Sequence, residues 1–453
     1  MASSATNDVA AWTMSPLDRP PVATIRPPGS KSLTNRALVL AALATGRCTL
    51  SNVLFADDTG RMIVALRKLG LVLDIDEAAR TIAVDAPASK TFAFENATLD
   101  CGNSGTTIRF LTALLAAAGT ATFTLTGDDR MKQRPIGPLL DLLESLAGES
   151  GSTFDCGSAG CCPPVLLEAK GLLGGTVAYP AGRVLSSQYL SAACMVGPYT
   201  TKECHMRLDG RQLSWPYVSM TMRLMDLFGV TPELERHDET GEPEAIVIPR
   251  GRYKGTDYPV EPDASAASYF FGLAAIHPGA KVTVQGIDRH SLQGDADFAS
   301  VLEQMGAGVE RGEGYTTVIG PEQLDGVDVD MSDMPDCAQT LGVVSLFAVG
   351  ETTMHGLRTL RVKETDRVAA LQNELEKLGG SVSHAGDGED EALTITPPLR
   401  VRPATIETYD DHRMAMSFAL AATKASGIEI DDPGCVSKTY PEYFADLKTV
   451  CGR

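Results

Sequence analysis

Acids and bases alternate in Arg361-Val362-Lys363-Glu364-Thr365-Asp366-Arg367, where five of seven residues carry charge. Alternation of this kind suits proton transfer among positioned groups. The second half of the chain adds Met334-Pro335-Asp336, Asp411-His412-Arg413 and Ser437-Lys438-Thr439, each ahead of an apolar, helix-like run. The first half offers donors instead. Pro28-Gly29-Ser30-Lys31-Ser32-Leu33-Thr34-Asn35-Arg36 leads into an apolar helix expected to begin at Ala37. A helix start has unpaired N–H groups and a partial positive charge, so it seats an anion. Lys31, Ser32 and Arg36 would complete a phosphate cradle there. An ordinary capped helix with solvated basic residues fits those nine residues equally well. A Walker loop fits poorly, because its first glycine is missing upstream of Gly29.

Four further segments of the first half are built alike. Asp100-Cys101-Gly102-Asn103-Ser104-Gly105-Thr106-Thr107-Ile108-Arg109 combines small residues with donors, ahead of an apolar run expected as the helix Phe110 to Ala118. Arg130, Lys132 and Arg134 fall within five residues before Pro135, and Ser186-Ser187-Gln188 opens another apolar stretch. Arg211-Gln212-Leu213-Ser214-Trp215-Pro216-Tyr217 adds hydroxyls and a cation. Each alone reads as a polar turn capping a buried helix; their repetition at helix starts favours anion binding.

Composition narrows the partners. A net charge of −19 argues against nucleic acid or an anionic membrane, and makes local basic clusters more informative. No run approaches the roughly 18 apolar residues of a membrane span. The first twenty residues lack a signal-like pattern, so a cytoplasmic protein is expected; a plastid protein without its targeting segment would look the same. The ten cysteines are scattered and lack zinc spacing. They read as free thiols of a reducing compartment, with no metal and no cofactor implied.

The elements that must position these residues repeat. A helix-like end followed by glycine recurs at Gly70, Gly148, Gly229, Gly306 and Gly379, with gaps of 78, 81, 77 and 73 residues. A sixth helix-like end, Phe444 to Leu447, is without its glycine. Short alternating strands follow each end, which gives an α/β chain of mixed sheets in about six units. Two stiff, proline-bearing links, Pro27-Pro28-Gly29 and Tyr258-Pro259-Val260-Glu261-Pro262, divide the six units into two groups of three. The expected domains are 29–259 and 260–453, the latter completed by residues 1–28, with a cleft between them.

The motifs together resemble the family of 5-enolpyruvylshikimate-3-phosphate synthases. The likeness runs from about Ile25 to Tyr443, through PPGSKSLTNRAL, GNSGTTIR, RMKQRPI, SSQYL, DASAASYF, RVKETDR, DDHRMAM and SKTYPEYF. It implies two similar domains, each of three β-α-β-α-β-β units, with the active site in the interdomain cleft. It also implies transfer of the enolpyruvyl group of phosphoenolpyruvate to the 5-hydroxyl of shikimate 3-phosphate, on the route to aromatic amino acids, by a monomer. Carried over by motif, Lys31 meets both substrates. Ser32, Arg36, Ser186, Ser187, Ser214, Tyr217, Asp336 and Lys363 would hold shikimate 3-phosphate, with Gln188 between the ligands. Gly105, Arg130, Arg367, Arg413 and Lys438 would hold phosphoenolpyruvate. Asp336 would accept the hydroxyl proton and Glu364 would protonate the methylene carbon, with Lys31 stabilising charge. Two phosphates and two carboxylates require many fixed donors of this kind.

The chain departs from the family pattern at GNAGTAMRP, which reads GNSGTTIRF here, so Phe110 replaces a proline behind Gly105. Retained Gly105 implies sensitivity to the family's inhibitor glyphosate. Thr359, where the family often has Asn, is left out of the binding set. Two other readings share much of this pattern: a sister transferase acting on a UDP-amino sugar, and an anion-binding homologue without turnover. RVKETDR and the DDHRMAM/SKTYPEYF pair favour shikimate phosphate.

Overall fold

The helices Lys31–Leu43, Gly105–Ala116 and Ser187–Val196 carry few charges along their length, and almost every residue in them is buried. Such helices have no polar face to offer water and must lie inside a domain. They pack on one another within a unit formed by residues 28–263 and 292–294, the middle unit. A second unit, formed by residues up to 27, 264–291 and 295–453, is built the same way around Ala264–Ile276, Ala338–Ser345 and His412–Lys424. This computed structural model describes residues 11–86, 95–158, 160–386, 388 and 391–453.

Four of these six buried helices, Gly105–Ala116, Ser187–Val196, Ala338–Ser345 and His412–Lys424, cross over between two parallel strands. Ala97–Asp100 leads through Gly105–Ala116 to Ala121–Thr126, with which it pairs in parallel. An amphipathic helix follows, Gly137–Ala147, and then the hairpin Thr153–Cys156 and Val165–Ala169 joins the sheet antiparallel. The β-α-β-α-β-β order recurs in both units, giving mixed four-stranded sheets. Two sheets are completed from a distance. Asp257–Pro259 pairs in parallel with Gly46–Ser51, and Val22–Ile25 pairs in parallel with Lys281–Gln285. Trp12–Thr13 closes a smaller three-stranded sheet against Ile428–Ile430. Borrowed strands cover edges that would otherwise expose unpaired backbone.

The glycine periodicity has a structural cause. After the helix Arg367–Lys377, Gly379 sits at φ 94° and donates to Glu376 O, while Gly380 donates to Leu375 O. This paired closure satisfies the last carbonyls and favours glycine at the left-handed residue. The sixth unit has it too, contrary to the sequence expectation. Its helix is Tyr443–Val450, one turn longer than read, and Gly452 at φ 70° donates to Thr449 O while Arg453 donates to Lys448 O. Gly148 is the exception, at φ 52° and ψ −127°, leading into a 3₁₀ turn.

The cysteines also differ from expectation. Cys156 and Cys161 form a disulfide, with Cα atoms 5.1 Å apart in a tight turn where Ser158 N donates to Cys156 O and Cys161 N to Ser158 O. The other eight are free thiols.

Chain segments 28–31 and 261–263 run side by side in the middle unit. Ser30 N donates to Glu261 O, Asp263 N to Pro28 O, and Gly29 bridges Pro262. A Cβ on Gly29 would lie 1.8 Å from Asn52 O, so no other residue fits this approach.

Candidate active site

In the middle unit the three buried helices begin at serines. Ser30 Oγ accepts from Leu33 N, Ser104 Oγ from Thr107 N, and Ser186 Oγ from Gln188 N. These caps start the helices earlier than the apolar runs suggest. Lys31, Ser32 and Arg36 therefore lie in the first turns of Lys31–Leu43, not ahead of it, and Gly105 is the first residue of Gly105–Ala116. Lys31 is held at both ends. Its backbone N–H donates to Asp263 Oδ2 at 3.1 Å and its Nζ lies 3.2 Å from Asp58 Oδ2. Arg36 is buried against the Phe110 ring, 5.0 Å from its centroid, and donates to Thr221 Oγ1, Ser191 Oγ, Ser32 O and Tyr217 O. Burial lowers its pKa to about 10. Its contacts fix the backbone carbonyls of Ser32 and Tyr217, two other residues that the motifs assign to the acceptor. Ser214 stands at φ 55° just before the helix Trp215–Leu227, and it and Ser187 are buried.

Gly105 lies in a corner between two guanidiniums. A Cβ there would come within 2.7 Å of Arg134 Nη2 and 3.1 Å of Arg109 Nη1. Arg134 is buried and donates to Asn103 O and Oδ1; Arg109 donates to Gln188 Oε1 at 2.6 Å. Arg130 is half-buried, with Nη1 on Gln133 Oε1 at 3.4 Å. The motifs assign Arg130 of this cluster to phosphoenolpyruvate, and the guanidiniums at Gly105 are those of Arg134 and Arg109. Met131–Gln133 is a 3₁₀ turn, in which residues three apart share a face. Apolar Met131 marks the inner face and brings Arg134 with it, while Arg130 and Gln133 share the outer one.

The other unit gathers acids and bases around Asp336. Its Oδ1 lies 3.0 Å from Arg367 Nη1 and 3.4 Å from Lys363 Nζ, and its Oδ2 lies 2.8 Å from Arg413 Nη2. Arg367 also forks onto Asp411, with Nε to Oδ2 at 2.7 Å and Nη2 to Oδ1 at 3.1 Å, and reaches Glu364 Oε2 at 3.0 Å. Asp411 caps His412–Lys424 by accepting from Arg413 N. Burial pulls the Arg367 guanidinium down, but Asp411, Glu364 and Asp336 outweigh it and raise its pKa. Burial dominates at Lys363 and lowers its pKa, against the opposing pull of Asp336. Lys438 is buried at the end of the Pro433–Lys438 turn, which packs on the His412 helix. Arg361 is turned away, onto Glu391 and Asp366.

A carboxylate among three cations, next to a second carboxylate, can exchange protons while the cations hold anionic reactants. Solved structures with this architecture include EPSP synthase from Acinetobacter baumannii, at TM-score 0.75 and 24% identity over 96% of this chain and 97% of that one. The enolpyruvyl transferase NikO from Streptomyces tendae matches at TM-score 0.71 and 20% identity, covering 96% of each chain. The fold is that of the enolpyruvyl transferases. The model of the family EPSP synthase (3-phosphoshikimate 1-carboxyvinyltransferase) matches residues 19–447. The chloroplastic 3-phosphoshikimate 1-carboxyvinyltransferase of Brassica napus is 44% identical over 94% of this chain and 82% of its own length. That of Photobacterium profundum is 42% identical over 93% and 94%. The chain belongs to the EPSP synthase family, transferases of a carboxyvinyl group.

Proposed function

We propose that the chain transfers the enolpyruvyl group of phosphoenolpyruvate to the 5-hydroxyl of shikimate 3-phosphate, releasing phosphate, as a step toward aromatic amino acids. The observation that carries this reading is the Asp336 cluster. Asp336 contacts Lys363, Arg367 and Arg413 while Glu364 stands on the same Arg367. Three cations stand on the Asp336 carboxylate, which places a candidate general base among anion-binding groups. When anionic substrates compete for those cations, Asp336 becomes a stronger base beside the hydroxyl it must deprotonate. The acceptor oxygen then bonds to the central carbon of phosphoenolpyruvate as Glu364 delivers a proton to the methylene carbon, and the tetrahedral adduct expels phosphate and gives up one methyl proton, which restores the carbon–carbon double bond.

In this reading Lys31, Ser32, Arg36, Ser186, Ser187, Gln188, Ser214 and Tyr217 serve the acceptor from the middle unit, joined by Asp336 and Lys363. Phosphoenolpyruvate takes Lys31, Gly105, Gln188, Arg367, Arg413 and Lys438. Arg130 serves it as well, and we add Arg134, whose guanidinium abuts Gly105 beside that of Arg109. Glyphosate would compete at these groups. The protein is proposed to act as a cytoplasmic monomer; among the described residues, no helix is long and apolar enough to cross a membrane. Phosphate release from phosphoenolpyruvate, measured with and without shikimate 3-phosphate, tests the reading. Release only with the acceptor is expected; release without it, or none with it, overturns the assignment.

A further inference from the structure

Tyr189 follows Gln188 in the helix Ser187–Val196, and only 2% of it is exposed. A buried tyrosine usually needs no function beyond packing and one satisfied hydroxyl. Its two contacts here fall on groups around Gly105. The Arg109 guanidinium lies over the Tyr189 ring, 5.0 Å from the centroid. The Tyr189 hydroxyl donates to Pro135 O at 2.5 Å, the carbonyl just after Arg134. Arg109 reaches the same carbonyl through Nη2 at a weaker 3.4 Å, and Gln188 Oε1 through Nη1 at 2.6 Å. Gln188 Nε2 in turn donates to Thr106 Oγ1 at 3.3 Å. A closed circuit thus joins three chain segments. One carries Gly105, one Arg134 and one Gln188, and Tyr189 is the side chain that touches both guanidinium-bearing segments.

We propose that Tyr189 is a positioning residue for the phosphoenolpyruvate half of the site, fixing Arg109 with its ring and the Arg134 segment with its hydroxyl. The spacing of the two guanidiniums matters because Gly105 leaves no slack between them. A Cβ placed there would already meet both within 3.1 Å. An aromatic face steadies a desolvated cation without neutralising it, so Arg109 keeps its charge for the site while its side chain is held. Loss of the ring would let Arg109 swing, and loss of the hydroxyl would leave Pro135 O with its single long bond. The acceptor residues gathered by Arg36 lie outside this circuit, and Gln188, between the two ligands, is the one group shared with it.

This inference rests on the assignment of Gly105, Arg134 and Gln188 to phosphoenolpyruvate, and the experiment separates the two. Steady-state kinetics are measured for the full chain, Tyr189→Phe and Tyr189→Leu, varying each substrate, alongside thermal melts. Tyr189→Phe keeps the ring and is expected to raise KM for phosphoenolpyruvate about threefold; Tyr189→Leu should raise it about tenfold or more. In both, KM for shikimate 3-phosphate rises less than KM for phosphoenolpyruvate, through Gln188 alone, and kcat stays within about twofold. Equal changes in both KM values, or an unchanged KM for phosphoenolpyruvate in folded Tyr189→Phe, overturn the proposal. Should Tyr189→Leu not fold, the Tyr189→Phe result alone decides. Absence of acceptor-dependent turnover in the unmodified chain would instead defeat the functional reading on which the proposal stands.

Discussion

Asp58 joins Lys31 to the start of the Gly105 helix. Its Oδ2 lies 3.2 Å from Lys31 Nζ, and its backbone carbonyl accepts from Ser104 Oγ at 3.3 Å and Thr107 Oγ1 at 3.1 Å. Both charged side chains are buried, so the pair is weakly screened and the loss of one partner is costly. Asp58→Asn keeps the shape but leaves Lys31 without its counter-charge. We expect kcat/KM to fall about 10- to 100-fold with a lower melting temperature, because Lys31 no longer has a fixed direction. Turnover and melting like the unmodified protein's would show that Lys31 needs no such anchor.

Gly105→Ala inserts a methyl at 2.7 Å from Arg134 Nη2, 3.0 Å from Arg134 Cζ and 3.1 Å from Arg109 Nη1. The guanidinium ends of flexible side chains can yield, so the protein should fold. The displaced cations then bind anions less well. KM for phosphoenolpyruvate should rise about tenfold, and the inhibition constant for glyphosate by at least as much. Inhibition curves that overlay the unmodified enzyme's would place glyphosate away from this corner.

Asp336→Ala and Glu364→Gln test the proton-transfer pair. Each should lower kcat by about 10²- to 10⁴-fold, the range of a lost general acid or base. Circular dichroism should be unchanged for Glu364→Gln. Asp336→Ala also leaves Lys363, Arg367 and Arg413 without a shared anion, so its melting temperature should fall in the apo protein and recover when shikimate 3-phosphate is added. Turnover near the original rate in either variant would remove that residue from the mechanism.

The repeat was legible in the sequence because a physical necessity writes it there: a helix that closes through a left-handed residue favours glycine. The count fell one glycine short because Tyr443–Val450 runs a turn past its apolar signal, to Gly452. Helix starts were misread in one direction for one reason. Ser30 and Ser104 cap helices whose first turns are polar, so an apolar pattern sees them late. Arg134 went unnoticed beside Arg130 because three cations in five residues look alike until a 3₁₀ turn sorts them into faces. Asp58 was invisible: two acids opening a helix read as ordinary complements to its dipole. Only the fold shows that one of them turns to a lysine 27 positions earlier in the chain.

His277 offers a test of stability that does not involve the site. It is 6% exposed, its Nε2 pairs with Thr423 Oγ1 at 2.9 Å, and burial with help from nearby Lys424 lowers its pKa from 6.5 to about 4. The folded protein therefore keeps the ring neutral where the unfolded chain protonates it. Between pH 6.5 and 4 the unfolded state binds more protons, so stability falls as the pH drops through this window and the penalty is complete below about pH 4. A shift of this size corresponds to at most about 3 kcal/mol. Acidic side chains titrate over the same range, so the comparison must be with a variant. His277→Gln retains a hydrogen-bonding side chain without a titrating ring. Its stability, measured by denaturant melts at several pH values, should fall less steeply from pH 6.5 to 4 than that of the unmodified protein. Above pH 7 the two curves should run parallel. Identical slopes throughout would mean that His277 takes up its proton in the folded state as readily as in the unfolded one, and that the burial seen here does not suppress its charge.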